Sequence, residues 1–190
     1  QVDYEEITPV FDPQEAMRPG APIIHADLGK YQASPIFCHP VPGTNIMNYM
    51  KIRHGNVEMG FAQADFIFED TFTTPAQHHC CLEPHAAVGQ VGLDGKATVW
   101  TSTQGPYKVR TESASALSMP PSRVRVIATQ VGGGFGAKGR AKLEPHCVLL
   151  SRKSGRPVKI VLTRHEVFTA TSTRHPSVIC IKTGVKADGT

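Results

Sequence analysis

Four glycines crowd into five positions around one phenylalanine: Gly132, Gly133, Gly134 and Gly136 surround Phe135 in the stretch RVRVIATQVGGGFGAKGR, residues 123–140. Glycine reaches positive φ freely and lets a ligand or a second segment approach the main chain with no Cβ between them. Each glycine also carries about 0.5–1 kcal/mol more ordering entropy than alanine. A run of them held in one loop therefore points to a partner lying against bare amides. A plain surface turn is the simpler alternative, but a chain reverses direction with fewer consecutive glycines than this.

Three other chemistries are open to this sequence, the first of them at the same glycines. Gly132, Gly134 and Ala137 satisfy the dinucleotide pattern G-x-G-x-x-A after a strand, but that pattern needs a helix starting inside it, so that helix amides meet the pyrophosphate. Pro145 marks a helix start well beyond the motif. Thr163 and Arg164, not an acid, follow the next strand, and Arg164 is the one residue that speaks for an NADP-binding dehydrogenase domain. The run Gln77-His78-His79-Cys80-Cys81 with His85 has zinc-ligand residue types. On a strand, however, His78 and Cys80 would face away from His79 and Cys81, so no tetrahedral set forms and no metal-ligating residues are assigned. A cysteine nucleophile lacks any helix N-terminal or cationic niche to lower its pKa.

Composition narrows the class. The chain has 190 residues, 40% of them hydrophobic, enough for one or two domains with a true core. The net charge of +4 is dispersed, which argues against a nucleic-acid surface. No apolar run approaches the roughly 20 residues that cross a bilayer, and no secretory segment opens the chain. Five cysteines without C-x-x-C spacing predict reduced thiols, hence a cytoplasmic setting. The start at Gln1 and the end at an Asp-Gly turn read as a piece of something longer.

The elements that position the glycine loop follow from periodicity and punctuation. Residues 1–44 carry seven prolines and little pattern, with one helical turn expected over Pro13 to Met17 and a short strand over Ile23 to His25. Strands are expected over Ile46 to Ile52 and Phe66 to Phe72, with a short helix capped by Asn56 between them. His85 to Val91 and Ala97 to Thr101 flank an Asp94-Gly95 turn, a hairpin signature. Pro106 opens a helix that ends near Met119. The strand Val124 to Ala128 feeds the glycine loop. Leu143-Glu144-Pro145 opens a helix with Cys147, Val148, Leu149 and Leu150 on its apolar face and a glycine stop at Gly155. Val158 to Leu162 and Val178 to Val185 are the remaining strands. The expected fold is α+β, with mixed or antiparallel sheets and two or three packed helices.

Five segments taken together, QHHCCLEP at 77–84, TVWTSTQ at 98–104, RVRVIATQVGGGFGAKG at 123–139, GRPVKIVLTR at 155–164 and RHP at 174–176, resemble in order and spacing the molybdopterin-binding subunit of the xanthine dehydrogenase and aldehyde oxidase family, the molybdenum hydroxylases. The resemblance covers nearly the whole chain. It implies that residues 1–44 are the tail of the family's hammerhead domain plus a linker, and that residues 45–190 are the first part of the molybdopterin-binding domain.

The resemblance also implies roles. Gln104 matches the glutamine that hydrogen-bonds the molybdenum centre, and Gly133, Gly134, Phe135 and Gly136 match the loop whose backbone borders a molybdopterin or molybdopterin cytosine dinucleotide cofactor. Phe135 and Gly139 fall beside the substrate. The metal is held by the pterin and not by protein ligands; Glu83 is expected to bond loop amides, and Arg174 to brace a neighbouring carbonyl or carboxylate. Gly139 stands where xanthine-oxidising relatives carry a glutamate that grips the purine, a contact of about 1.5–3 kcal/mol. That departure favours an aldehyde, another N-heterocycle or an aromatic substrate. The family's glutamate base lies near the far end of the subunit, outside these residues, so no catalytic residue is expected here and the chain alone is expected to be inactive. Other implied partners are the rest of the subunit, FAD and [2Fe-2S] units on other domains or subunits, and an oligomeric parent, with no nucleic acid and no membrane. A binding or assembly module, docking through its proline-rich first 44 residues, is the alternative outside enzymology.

Overall fold

The computed structural model describes residues 2–30 and 39–190. Cys38, one of the thiols expected to be reduced, and part of the expected linker lie outside the described residues. The chain divides into two compact units, Gln1–Phe66 with Gly184–Thr190, and Ile67–Thr183.

The first unit has little regular structure. Helix α1 (Pro13–Ala16) starts with proline in its first turn, and the Asp12 carboxylate accepts from the Gln14 and Glu15 amides. Helix α2 (Val57–Ala62) is capped as expected, by the Asn56 side chain accepting from Met59 N–H at 3.0 Å. The strands expected over Ile23 to His25 and Ile46 to Ile52 do not form. Side chains take the place of a ladder: Asn45 Nδ2 donates to the Ala16 and Pro22 carbonyls, and its Oδ1 accepts from Ile24 N–H. With no strand paired alongside among the described residues, Ile52 stays 87% exposed, and apolar alternation alone gives no sheet.

The second unit holds the core. Strand β1 (Phe66–Thr74) forms a two-stranded sheet with the chain's last strand, β6 (Ser177–Val185). Strands β2 (Ala86–Val91) and β3 (Ala97–Thr101) make the expected hairpin in the register Val91 opposite Ala97 and Ala87 opposite Thr101. Helix α3 (Pro106–Ala116) then crosses over to β4 (Val124–Ala128), which pairs parallel to β3. Helix α4 (Glu144–Ser154) follows, stopped by Gly155 at φ 67°. Strand β5 (Val158–Val161) pairs antiparallel to β2 and completes the order β4-β3-β2-β5. Helix α5 (Arg164–Ala170) and β6 (Ser177–Val185) close the unit.

Helices α3 and α4 pack against the four-stranded sheet. Ala97, Val99 and Val148 form the buried centre, with Leu117, Met119 and Val126 against it. Gly89 permits this packing: a Cβ there would lie 2.8 Å from the Cys147 backbone carbon. The apolar face expected for α4 turns by one position. Cys147, Val148 and Ser151 are buried, and Leu150 is exposed. Ser151 enters the core because its hydroxyl accepts from Val91 N–H at 3.0 Å, where β2 ends. Helix α5 escaped the sequence reading, although Thr163 and Glu166 form a reciprocal capping box at its start.

Candidate functional site

The topology brings four strand ends to one edge of the sheet. Strands β3 and β4 run parallel, so the segments that leave their C-terminal ends, Ser102-Thr103-Gln104 and Gln130 to Gly136, emerge side by side. Ligand sites in such sheets form outside the carboxyl ends of parallel strands. Strand β2 begins at the same edge, since Ala87 pairs with Thr101, and this brings in the segment before it with Cys81 and Glu83. Strand β5 ends there as well, since Ala86 pairs with Val161, and it delivers Arg164.

Gln104 meets the glycine loop directly: its Oε1 accepts from Gly136 N–H at 3.0 Å. A Cβ on Gly134 would overlap the Gln104 carboxamide, so the glycine at that position is a steric requirement of this contact. Gly133 and Gly136 both sit at φ 96°. Phe135, 75% exposed, sits at φ 51°, a conformation disfavoured for a bulky residue. Left-handed strain in a non-glycine residue gathers at functional sites. No described residue accepts from the amides of Gly133, Gly134 or Phe135.

Beneath the loop lies an ion pair between a wholly buried lysine and a carboxylate that is one-third exposed. Glu83 Oε2 takes three donors: Lys138 Nζ at 2.5 Å, Ser102 Oγ at 2.6 Å and Gly132 N–H at 2.7 Å. The Lys138 side chain is wholly buried, and its carbonyl accepts from Gln104 N–H and Thr103 Oγ1, each at 2.9 Å. One residue thus ties the glycine loop to the glutamine-bearing segment at both its ends. Burial pushes the Glu83 carboxyl upward, but its bonds to Lys138, Ser102 and Gly132 outweigh that and hold it below the usual carboxylate range. Glu83 bonds a loop amide as expected. Lys138 escaped notice because a lysine between Ala137 and Gly139 carries no periodic signal, and its partner is 55 residues away.

The other singled-out residues fall as follows. Residues 77–85 are not a strand; one bridge, Gln77 with Arg174, interrupts a loop, and Cys80 sits at φ 50°. The alternation assumed for His78 to Cys81 therefore does not hold. Cys81 Sγ donates instead to the Gly134 carbonyl at 3.4 Å, and His78 Nε2 lies 3.0 Å from Thr171 Oγ1. No three His, Cys, Asp or Glu side chains converge as a metal cage among the described residues. His85 is buried with its pKa pushed down by desolvation, and its Nε2 lies 3.4 Å from the Ala137 carbonyl. Arg164 is committed to protein: its guanidinium donates to the Cys81 and Leu82 carbonyls at 2.7 Å each, which takes away the one support for NADP binding. Arg174 braces through its backbone, which exchanges two hydrogen bonds with Gln77. Gly139 lies beside Gly136, whose carbonyl is 3.5 Å from where a Cβ would stand, and opens onto a cleft.

The chain is similar to known proteins over nearly its whole length. The nicotinate dehydrogenase large molybdopterin subunit of Eubacterium barkeri is 36% identical over 99% of this chain, which spans 40% of that subunit. The xanthine dehydrogenase molybdenum-binding subunit of Escherichia coli is 35% identical over 100% of the chain, here 23% of the relative's length. Among solved structures, reconstituted CO dehydrogenase from Oligotropha carboxidovorans superposes with a TM-score of 0.81 at 28% identity, over 99% of this chain and 24% of that one. Residues 38–190 match the family described as the molybdopterin cofactor-binding domain, and the chain belongs to that family.

Proposed function

We propose that this chain is the first part of the molybdopterin-binding region of a molybdenum hydroxylase, with residues 1–44 as the end of a hammerhead domain plus linker and residues 45–190 as the cofactor-binding part. The observation that carries the reading is the meeting of Gln104 with Gly136 at the ends of two parallel strands. The residues fit an oxygen-rich cofactor: the loop offers amides at Gly133, Gly134 and Phe135 that have no acceptor among the described residues, and its glycines put no Cβ of their own in the way.

In this reading Gln104 hydrogen-bonds the centre, Gly133 to Gly136 border it with main chain, and Phe135 and Gly139 face the substrate. Bound there, a molybdenum-pterin group supplies the two-electron chemistry that hydroxylates an aldehyde, N-heterocycle or aromatic substrate with oxygen from water. The chain's own residues bind and orient; the proton-accepting glutamate comes from elsewhere in the subunit. The partners in this reading would be [2Fe-2S] and FAD units on other domains or subunits of a cytoplasmic, oligomeric assembly.

Metal analysis of the assembled subunit tests this. We expect molybdenum near one atom per subunit in the assembly, far less in the isolated 190-residue chain, and an altered Mo(V) paramagnetic signal in the assembled Gln104→Ala variant. An assembly without molybdenum, or a Gln104→Ala signal identical to wild type, overturns the assignment.

A further inference from the structure

The edge that presents Gly136 and Gly139 continues into a cleft of about 660 Å³ whose walls carry His79, Lys108, Arg140, Lys142, Arg174 and His175 and not one carboxylate. Glu112 lies 3.2 Å from Arg140. Lys142 Nζ donates to the Ser172 hydroxyl at 3.1 Å, and no acidic side chain pairs with Lys108, Lys142 or Arg174 among the described residues. The whole chain carries only +4, so three uncompensated cations in one concavity are a local concentration and not a share of a generally basic surface. Like charges gathered in a cleft repel one another and focus a positive potential that an anion relieves.

Three further features fit a bound oxyanion. The Gln77–Arg174 backbone bridge fixes the main chain that carries the Arg174 guanidinium, and that planar fork suits two-oxygen acceptors. Ser172 and Thr173 line the same cleft with neutral donors. The Nδ1 atom of His79 is buried without a hydrogen-bond partner, and the Nε2 atom of the same ring lies 3.8 Å from a Cβ built on Gly136. Gly139 leaves the passage from the loop open, because no neighbour other than the Gly136 carbonyl approaches its missing Cβ.

We infer that this cleft binds an anionic oxygen group, a carboxylate or a phosphate, next to the glycine loop. The inference rests on the proposed function only for its source: a carboxylate would belong to an acidic ring substrate brought near Phe135, a phosphate to the cofactor. The site itself stands on the cleft's charge, so its failure and that of the molybdenum reading are separable.

Amide NMR of the full 190-residue chain, titrated at constant ionic strength with sodium benzoate, benzamide, inorganic phosphate and sodium chloride, tests it. We expect saturable shifts at Gly136, Gly139, Ser172 and Thr173 with benzoate or phosphate and none with benzamide or chloride. Lys108→Ala and Lys142→Ala should each weaken binding by about threefold, with the rest of the spectrum unchanged. Saturation by benzoate alone assigns the cleft to substrate, and by phosphate alone to the cofactor. Absence of saturation with both anions, equal shifts with chloride, or full affinity retained in both variants overturns the site.

Discussion

Replacing Lys138 or Glu83 tests what holds the glycine loop against Gln104. Glu83→Gln leaves a wholly buried ammonium, 3.2 Å from Ser102 Oγ and with no carboxylate beside it. Breaking a buried pair from one side costs about 3–5 kcal/mol, and full burial of Lys138 puts this variant at the upper end. Lys138→Met keeps the stem volume and strands the carboxylate instead. That carboxylate is one-third exposed and keeps the Ser102 and Gly132 donors, so water offsets part of the loss and the cost falls to about 1.5–3 kcal/mol. The double variant, with no charge left to strand, should recover much of the Glu83→Gln loss. The single tryptophan, Trp100 on β3, reports on this unit by fluorescence during urea unfolding. The pair also sets an acid limb. The Glu83 pKa is lowered in the fold, so its stabilisation is present above the unfolded carboxylate value and is lost as pH falls below that range through the folded value. Lys138→Met should shrink this limb. A Glu83→Gln variant that costs less than Lys138→Met, or about 1 kcal/mol or less, would refute the ion pair as the fastener of the loop.

Two further outcomes follow from packing and burial. Gly89→Ala should destabilise the sheet-helix unit by about 1–3 kcal/mol in the same urea assay, because its Cβ would meet Cys147 and Val148 backbone atoms at 2.8 and 2.9 Å that cannot move cheaply; a neutral result would contradict the seating of α4 on β2. Iodoacetamide at pH 8, followed by peptide mapping, should label the exposed Cys80 and Cys180 and spare Cys81 and Cys147, whose thiol is pushed up to about 11 by burial. Rapid labelling of Cys147 in the folded chain would contradict that burial.

Local chemistry wrote much of this protein into its sequence. The Asp94-Gly95 hairpin, the Asn56 cap, the Pro106 and Pro145 helix starts and the Gly155 stop depend on neighbours a few residues apart, and each forms where those residues lie. The pairing of Gln104 with the glycine loop was reached through resemblance, because nothing within either segment refers to the other. The Ile46 to Ile52 strand failed for the complementary reason: its alternation was present, but no neighbour supplied a ladder among the described residues.

Tertiary structure alone decided the rest. The parallel crossover through α3 sends the ends of β3 and β4 out at one edge, and that places Gln104 within 3.0 Å of Gly136 N–H. Once those ends converge, Lys138 loses its water and requires the Glu83 carboxylate, and Arg164 finds two carbonyls 82 and 83 residues earlier in the chain. A buried charge selects its partner by proximity in space, and proximity in space is what a linear reading of residue types does not contain.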